Sequence, residues 1–406
     1  MGKESRRAKE PKEKGKMGGE KANPLENVRV PRVMLSAAIL VGLAWWVGGA
    51  LWARSHAEGR CAFPIRLFFL FSLESAFNPL CSALWLLPAR WLAPRLPGAA
   101  ADPSLPAKSA WPLPAEMMHN DESIVWPRPE HVPAEWAVLA RGRKQPFFLN
   151  HVRGSMRLRQ AAIRLGAATA TVITMLCMST LLDQRPLSEF GLKLEGAAVD
   201  TLLGVVTGTV CIVILFLIER RLGWIQPTHM FECVVPGESW GLNFLWDILF
   251  HIGVTLDEEL QLRGWLLHAT ALACEAYLGS SRSFAMLLAA VIESILFAFL
   301  HLRSPGASSL ALCNLAIGGM AAALNVVLSG GLAFSFGWHF SWNLVMGHAL
   351  GLSTSGIPMS ATLVSVVPHP SKQHLHGGTF GPEKSVLAPG IYLLGCVMLY
   401  SFYGWN

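Results

Sequence analysis

The sequence predicts an all-α, polytopic membrane protein of about eight to nine transmembrane helices, with an active site inside the helix bundle. Three observations lead there. Of 406 residues, 52% are hydrophobic and only 15% are charged, whereas an average soluble chain carries about 25% charged residues. The apolar residues fall in runs of about 20, the length that crosses a hydrocarbon core at about 1.5 Å per residue. Inside one such run sits Asp257-Glu258-Glu259-Leu260-Gln261-Leu262-Arg263, three carboxylates and a guanidinium. At the centre of a span each Asp or Arg costs roughly 2.5–3.5 kcal/mol on insertion scales. Charges retained there mark an intramembrane site.

Taken in order, residues 1–32 are rich in Lys, Arg and Glu, hold no apolar run, and read as a basic, disordered cytoplasmic tail. They lack the pattern of a signal peptide. Runs at 33–53 and 67–87 make an N-terminal transmembrane pair within 33–93, and Glu74 in the second run is read as facing a helix–helix contact. Residues 94–160 form a polar insert, rich in Pro and Ala at first and basic at its end, a cytoplasmic loop that can ride on anionic headgroups. Within 161–404 further spans are expected at 161–182, 197–218, 244–271, 284–302, 310–328, 333–352 and 389–403. With this alternation the tail, the insert and the Arg220-Arg221 turn share one side. The positive-inside rule therefore puts the N-terminus in the cytoplasm of a multi-pass integral membrane protein.

Composition also narrows the partners. The net charge of +6 is spread over tail and loops rather than along a stripe, so membrane topology accounts for it and no nucleic-acid partner is implied. The bilayer is the partner the composition calls for. The eight cysteines are scattered without a Cys-x-x-Cys and mostly lie in apolar runs, where they pack as small hydrophobes. No Gly-x-Ser-x-Gly and no phosphate-cradling glycine loop is present. Ser341, inside a span, is read as bonding a backbone carbonyl.

Three spans place polar groups where apolar ones cost less. Glu259 and Arg263 are four apart, share a helical face and can pair. Glu258 is turned about 100° from Glu259 and so can face a cavity instead of the arginine. Phe297 and His301 are four apart on the next span, and His339 and Asn343 are four apart on a later one. Each element alone has a bland reading: His301 as an interfacial residue, His339 and Asn343 as a packing hydrogen bond, Glu259–Arg263 as a fastener of the bundle.

Together, and in this order, Glu258-Glu259-x-x-x-Arg263, Phe297-x-x-x-His301 and His339-x-x-x-Asn343 resemble the CPBP family, which contains the type II CAAX prenyl endopeptidases and their bacterial relatives, the ABI-type intramembrane proteases. Asn343-Leu344-Val345-Met346-Gly347 and the loop Gly377-Gly378…Gly381-Pro382-Glu383 also look like bacterial members, and the resemblance covers about residues 161–404. It implies an intramembrane endopeptidase acting on membrane-associated proteins or peptides, lipidated ones among them, and favours a bacterial plasma membrane.

The resemblance implies catalytic roles for Glu258, Glu259, His301, His339 and Asn343, with structural support from Arg263 and Phe297. Glu258 would activate water as general base, His301 would orient that water or shuttle its proton, and His339 with Asn343 would stabilise the oxyanion. Two cofactor states stay open: none, or a Zn2+ held by Glu258, His301 and His339, an O/N/N set that leaves a position for water. The strong His-Glu-x-x-His zinc signature is missing. Two other functions compete. A proton-coupled transporter also needs intramembrane carboxylates and histidines, although no second copy of the motif occurs in the first half of the chain. A catalytically inactive binding or immunity scaffold would keep the fold without its chemistry.

Overall fold

A computed structural model describes residues 62–92, 123–125, 146–148, 154–234, 237–357 and 359–404. The expected tail 1–32, the expected span 33–53 and most of the insert 94–160 lie outside the described residues. The described chain is mostly helical. It begins with α1 (Ala62–Leu92), followed by a short antiparallel pair within the insert, β1 (Ser123–Val125) with β2 (Pro146–Phe148). Next come α2 (Gly154–Cys177), which runs on into a π-helical turn Met178–Asp183, and α3 (Ala197–Arg221).

Strand β3 (Ile225–Cys233) precedes the longest helical stretch, α4 (Trp240–Glu258), a π-helical turn Glu259–Leu266 and α5 (Leu267–Leu278). Then follow α6 (Arg282–Leu300), α7 (Ser309–Ser329) and α8 (Leu332–Leu344), strand β4 (Ala361–Pro368), and the closing α9 (Ala388–Tyr403). Three of these helices open on a serine whose hydroxyl takes an orphan backbone N–H of the first turn: Ser239 before α4, Ser281 before α6 and Ser308 before α7.

Among the described residues, four helices are long and apolar enough to cross a membrane: Arg157–Leu181, Ala197–Arg221, Arg282–Leu300 and Ser309–Ser329. Ala76–Ala89 and Ala388–Tyr403 are apolar but shorter. The eight to nine spans expected include 33–53, outside the described residues, and two stretches that are not single α-helices. The stretch expected at 244–271 carries Asp247, Asp257, Glu258, Glu259 and Arg263 and changes helical type part-way. The stretch expected at 333–352 ends its α-helix at Leu344 and passes into a π-helical turn, Val345–Ala349. The all-α expectation is also incomplete. β3 and β4 form an antiparallel ribbon from Ile225↔Pro368 to Cys233↔Ala361, with an irregularity between Pro227 and Met230. Short apolar and polar residues alternate too briefly there to be separated from loop by sequence.

Helices α3 and α8 pack through glycine. A Cβ at Gly204 would run into the Phe334 carbonyl, one at Gly208 would lie 2.6 Å from the Trp338 carbonyl oxygen, and one at Gly337 would strike the Thr201 carbonyl. Without side chains the two backbones approach closely, the small-x-x-x-small solution that apolar helices use where water supplies no driving force. The contact is continuous with a core that includes Cys211, Ile212, Leu215, Trp338, Trp342 and Tyr392. A second core gathers Met175, Phe190, Trp265, Leu267, Leu315 and Phe297 around the π-turn.

The β-ribbon is tied to α4 by charge. Asp247 is fully buried, pairs with Arg157 of α2 at 2.5 Å, and accepts from the Ser360 N–H (3.2 Å), the Ser360 hydroxyl (2.5 Å) and the Ala361 N–H (3.3 Å). His348 Nδ1 donates to the Ala361 carbonyl at 2.9 Å from the other side. The Trp240 indole donates to the Thr362 carbonyl at 2.9 Å.

Gly337→Leu is expected to lower unfolding stability in detergent by at least about 2 kcal/mol, because the packed backbone cannot make room. Gly241→Ala, where a Cβ meets nothing within 4 Å, should leave stability unchanged or slightly raised. Thermal melts of the two purified variants decide it; equal melts would show that α3 and α8 are not in close contact.

Candidate active site

The three carboxylates of the opening motif have separate fates. Asp257 Oδ1 accepts from the Thr171 hydroxyl at 2.6 Å and from Gln261 Nε2 at 2.7 Å. The same Gln261 nitrogen reaches Glu74 Oε1 at 2.7 Å, so Glu74 is spent on the contact between α1 and the motif helix. Asp257 is therefore held against α2.

Glu259 opens the π-turn and is buried on all sides. Its Oε1 lies 3.3 Å from the Arg263 guanidinium and accepts from His339 Nδ1 at 2.8 Å, while Oε2 accepts from the Ser335 hydroxyl at 2.7 Å. Arg263 in turn pairs through Nε with Glu293 of α6 at 3.1 Å and stacks over the Phe297 ring at 4.4 Å. A planar guanidinium suits this position, since it can meet two carboxylates at its edge and an aromatic ring on its face. The i, i+4 pairing expected at an α-helical period thus survives a π-helical turn. Such turns are rare inside α-helices and often mark functional sites.

Glu258, the last α-helical residue of α4, has no such commitments. Its side chain is 22% exposed against 2% for Glu259, and it lines a cavity of about 290 Å³. Its nearest charged neighbour is His339, whose Nε2 lies 3.8 Å from Glu258 Oε2. A carboxylate accepts only, so Glu259 holds the His339 proton on Nδ1 and leaves Nε2 facing Glu258.

His301 is oriented in the same manner by a different acceptor. It caps the C-terminus of α6, and its Nδ1 donates to the Phe297 carbonyl at 3.0 Å, which leaves Nε2 for the cavity. Phe297 stands between the two imidazoles, with ring centroids 4.9 Å from His301 and 6.4 Å from His339, both edge-on. Asn343, one turn beyond His339 on α8, lines the same cavity. The structure thus brings Glu258, His301, His339 and Asn343 to one space, and places Glu259, Arg263 and Phe297 in the wall behind it.

The zinc alternative fares differently. Among the described residues no three His, Cys, Asp or Glu side chains stand close enough together to hold a metal ion. Glu258, His301 and His339 share the cavity but do not form a ligand set.

Sequence reasoning missed two residues of the wall. Glu293 is the only carboxylate in the run 284–302, and it precedes Phe297 and His301 by four and eight residues, one face of one helix. Ser335 stands in the same relation to His339 and Asn343. The repeat of four was available in both cases. Glu383, quoted above only for its loop, also lines the cavity.

Residues 240–345 match a family model, that of the type II CAAX prenyl endopeptidase Rce1-like domain. This supports a CAAX-protease-like family of intramembrane peptidases. No curated protein and no solved structure matches the chain. The Rce1-like segment starts with α4 and ends just after α8, so it holds Glu258, Glu259, Arg263, Glu293, Phe297, His301, His339 and Asn343. It is narrower than the 161–404 over which the sequence resemblance extends, and α2, α3 and the loop with Glu383 lie outside it.

Arg263→Leu would leave Glu259 and Glu293 buried without their cation, a change that costs about 3–5 kcal/mol. Arg263→Leu with Glu293→Leu removes one stranded charge, while Glu259 keeps Ser335 and His339. The double variant is expected to be more stable than the single one. Denaturation in detergent measures both, and losses that simply add would contradict the Arg263–Glu293 pair.

Proposed function

We propose that the chain is an intramembrane endopeptidase in which Glu258 activates water. The observation that carries this reading is the division of labour in the motif: Glu259 is taken up by Arg263, Ser335 and His339, Asp257 lines the cavity with Oδ1 tied to Thr171 and Gln261, and Glu258 lines it with no hydrogen bond among the described residues. A base needs a free lone pair beside the water it deprotonates.

In the proposed reaction, water attacks the scissile carbonyl carbon as its proton passes to Glu258. The C–O bond forms, and the carbonyl electron pair moves onto oxygen. The Asn343 amide and a His339 carrying a proton on Nε2 donate to that oxyanion. The intermediate collapses with cleavage of the C–N bond, and the proton on Glu258 goes to the departing amine. His301 Nε2 holds the attacking water in line from the α6 side of the cavity. Glu259 keeps His339 at a fixed angle throughout, with Arg263 paired to it.

The substrate class is a protein or peptide at the membrane. Prenylated C-terminal peptides are the first to test, because the matched family model is that of prenyl endopeptidases. The chemistry proposed uses protein groups only.

Purified protein in detergent should cleave members of a quenched-fluorescent peptide library that includes farnesylated sequences. Glu258→Gln should lower kcat/KM by about 10²-fold or more, and chelator should leave the wild-type rate unchanged. Cleavage that survives Glu258→Gln would rule out this base, and cleavage lost in chelator would restore the metal alternative. Ion or proton flux in proteoliposomes that depends on Glu258, with no hydrolysis, would favour the transporter.

A further inference from the structure

One acidic side chain outside the Rce1-like segment faces the same cavity. Glu383 follows Gly381-Pro382 in the loop between β4 and α9 and lines both the 290 Å³ cavity and a smaller pocket of about 60 Å³ behind His339. It is only 6% exposed.

The loop is built to hold it. Asn314 Nδ2 of α7 donates to the Glu383 carbonyl at 3.0 Å and to the Ser385 carbonyl at 2.9 Å. Gly381 has φ +101°, and a Cβ there would collide with the Ser353 carbonyl, so the approach requires glycine. The carboxylate is then fixed by one residue: Oε2 accepts from the Ser355 N–H and from the Ser355 hydroxyl, each at 2.7 Å. Ser355 itself has φ 47°, a left-handed conformation uncommon outside glycine and often found where backbone strain serves a site.

All of this satisfies one oxygen. Oε1 makes no hydrogen bond among the described residues. A carboxylate offers about four lone-pair sites, so Oε1 keeps its acceptor capacity for whatever fills the cavity. Of the neighbouring carboxylates, Glu259 is taken up by Arg263, Ser335 and His339, Asp257 has Oδ1 tied to Thr171 and Gln261, and Glu258 is the proposed base. A peptide entering this space leaves water behind, and each of its main-chain N–H groups then needs an acceptor.

We propose that Glu383 Oε1 is a substrate-binding acceptor that takes a main-chain N–H of an extended peptide lying along the cavity beside Glu258. This rests on the peptidase reading above and adds a binding residue to it. The pairing would set the register of the peptide, since one anchored N–H fixes which carbonyl stands over Glu258. Ser355 acts behind it as a positioning residue.

The test separates the two readings by measuring binding. Glu383→Gln keeps the shape: its amide oxygen can still accept from Ser355, which turns the NH2 group into the cavity and replaces an acceptor with a donor. The background is Glu258→Gln protein, and the probe is the fluorescent library peptide that binds that protein most tightly, remade with single N-methyl groups along its backbone. One N-methyl position is expected to weaken binding about 10-fold in the Glu258→Gln protein and to have no effect once Glu383→Gln is added. Glu383→Asp, which keeps an acceptor, should retain part of the N-methyl sensitivity. Equal affinities with and without Glu383→Gln, or N-methyl losses identical in both backgrounds, overturn the inference. The expected pattern in the Glu258→Gln background, together with a wild type that binds the same peptide without hydrolysing it, sustains the inference and counts against the peptidase reading.

Discussion

The site depends on one buried guanidinium. Arg263 stands between Glu259 and Glu293 with Phe297 beneath it, and these four residues come from a π-turn and a neighbouring helix. Removing ions from water costs several kcal/mol each even after relaxation, so such a group persists only when geometry and further hydrogen bonds compensate. Here Ser335 and His339 supply hydrogen bonds to Glu259, while Glu293 is held by its ion pair with Arg263. The consequence is directional. Once Glu259 is fixed inward, Glu258 one residue earlier is turned to the cavity, and His339 is left with a single ring nitrogen to present.

A second buried charge places the far wall. Asp247 lies on α4, eleven residues before Glu258, and pairs with Arg157 while holding the start of β4. The helix that carries Glu258 therefore also anchors the segment that leads from Thr354 and Ser355 into the ribbon. Both walls of the cavity are referenced to one rod. On the opposite side α8, which supplies His339 and Asn343, is locked to α3 by glycine contacts that leave its backbone little freedom. A cavity framed in this way can hold several polar groups at fixed separation, which is what electrostatic stabilisation of a transition state requires.

Parts of this were legible in residue order. The polar residues of α4, α6 and α8 stood out because the cost of charge in an apolar run is large and local, so Glu258, Glu259, Arg263, His301, His339 and Asn343 could be named without a structure. The pairing of Glu259 with Arg263 followed from helical spacing alone. The β3–β4 ribbon did not, because neither the largely exposed β3 nor the mostly buried β4 shows the strict in–out alternation that marks a strand in sequence. Hydropathy measures a run of residues and says nothing of the helix within it: the runs at 244–271 and 333–352 both change helical type, which only the structure shows.

What the sequence by itself determined is the inventory: apolar helices, three of them carrying polar residues at intervals of four, and an arginine within reach of a glutamate. Local spacing settles these because they are properties of single helices. Only the tertiary structure decided which carboxylate is free. Asp257, Glu258 and Glu259 are consecutive and chemically alike, and they differ in what other helices bring to them: Thr171 from α2 to the first, Ser335 and His339 from α8 to the third, and no hydrogen bond among the described residues to the second, which lines the cavity. The partners of Arg263 and the place of Glu383 are likewise contacts between segments far apart in the chain, and no period within one helix can encode them.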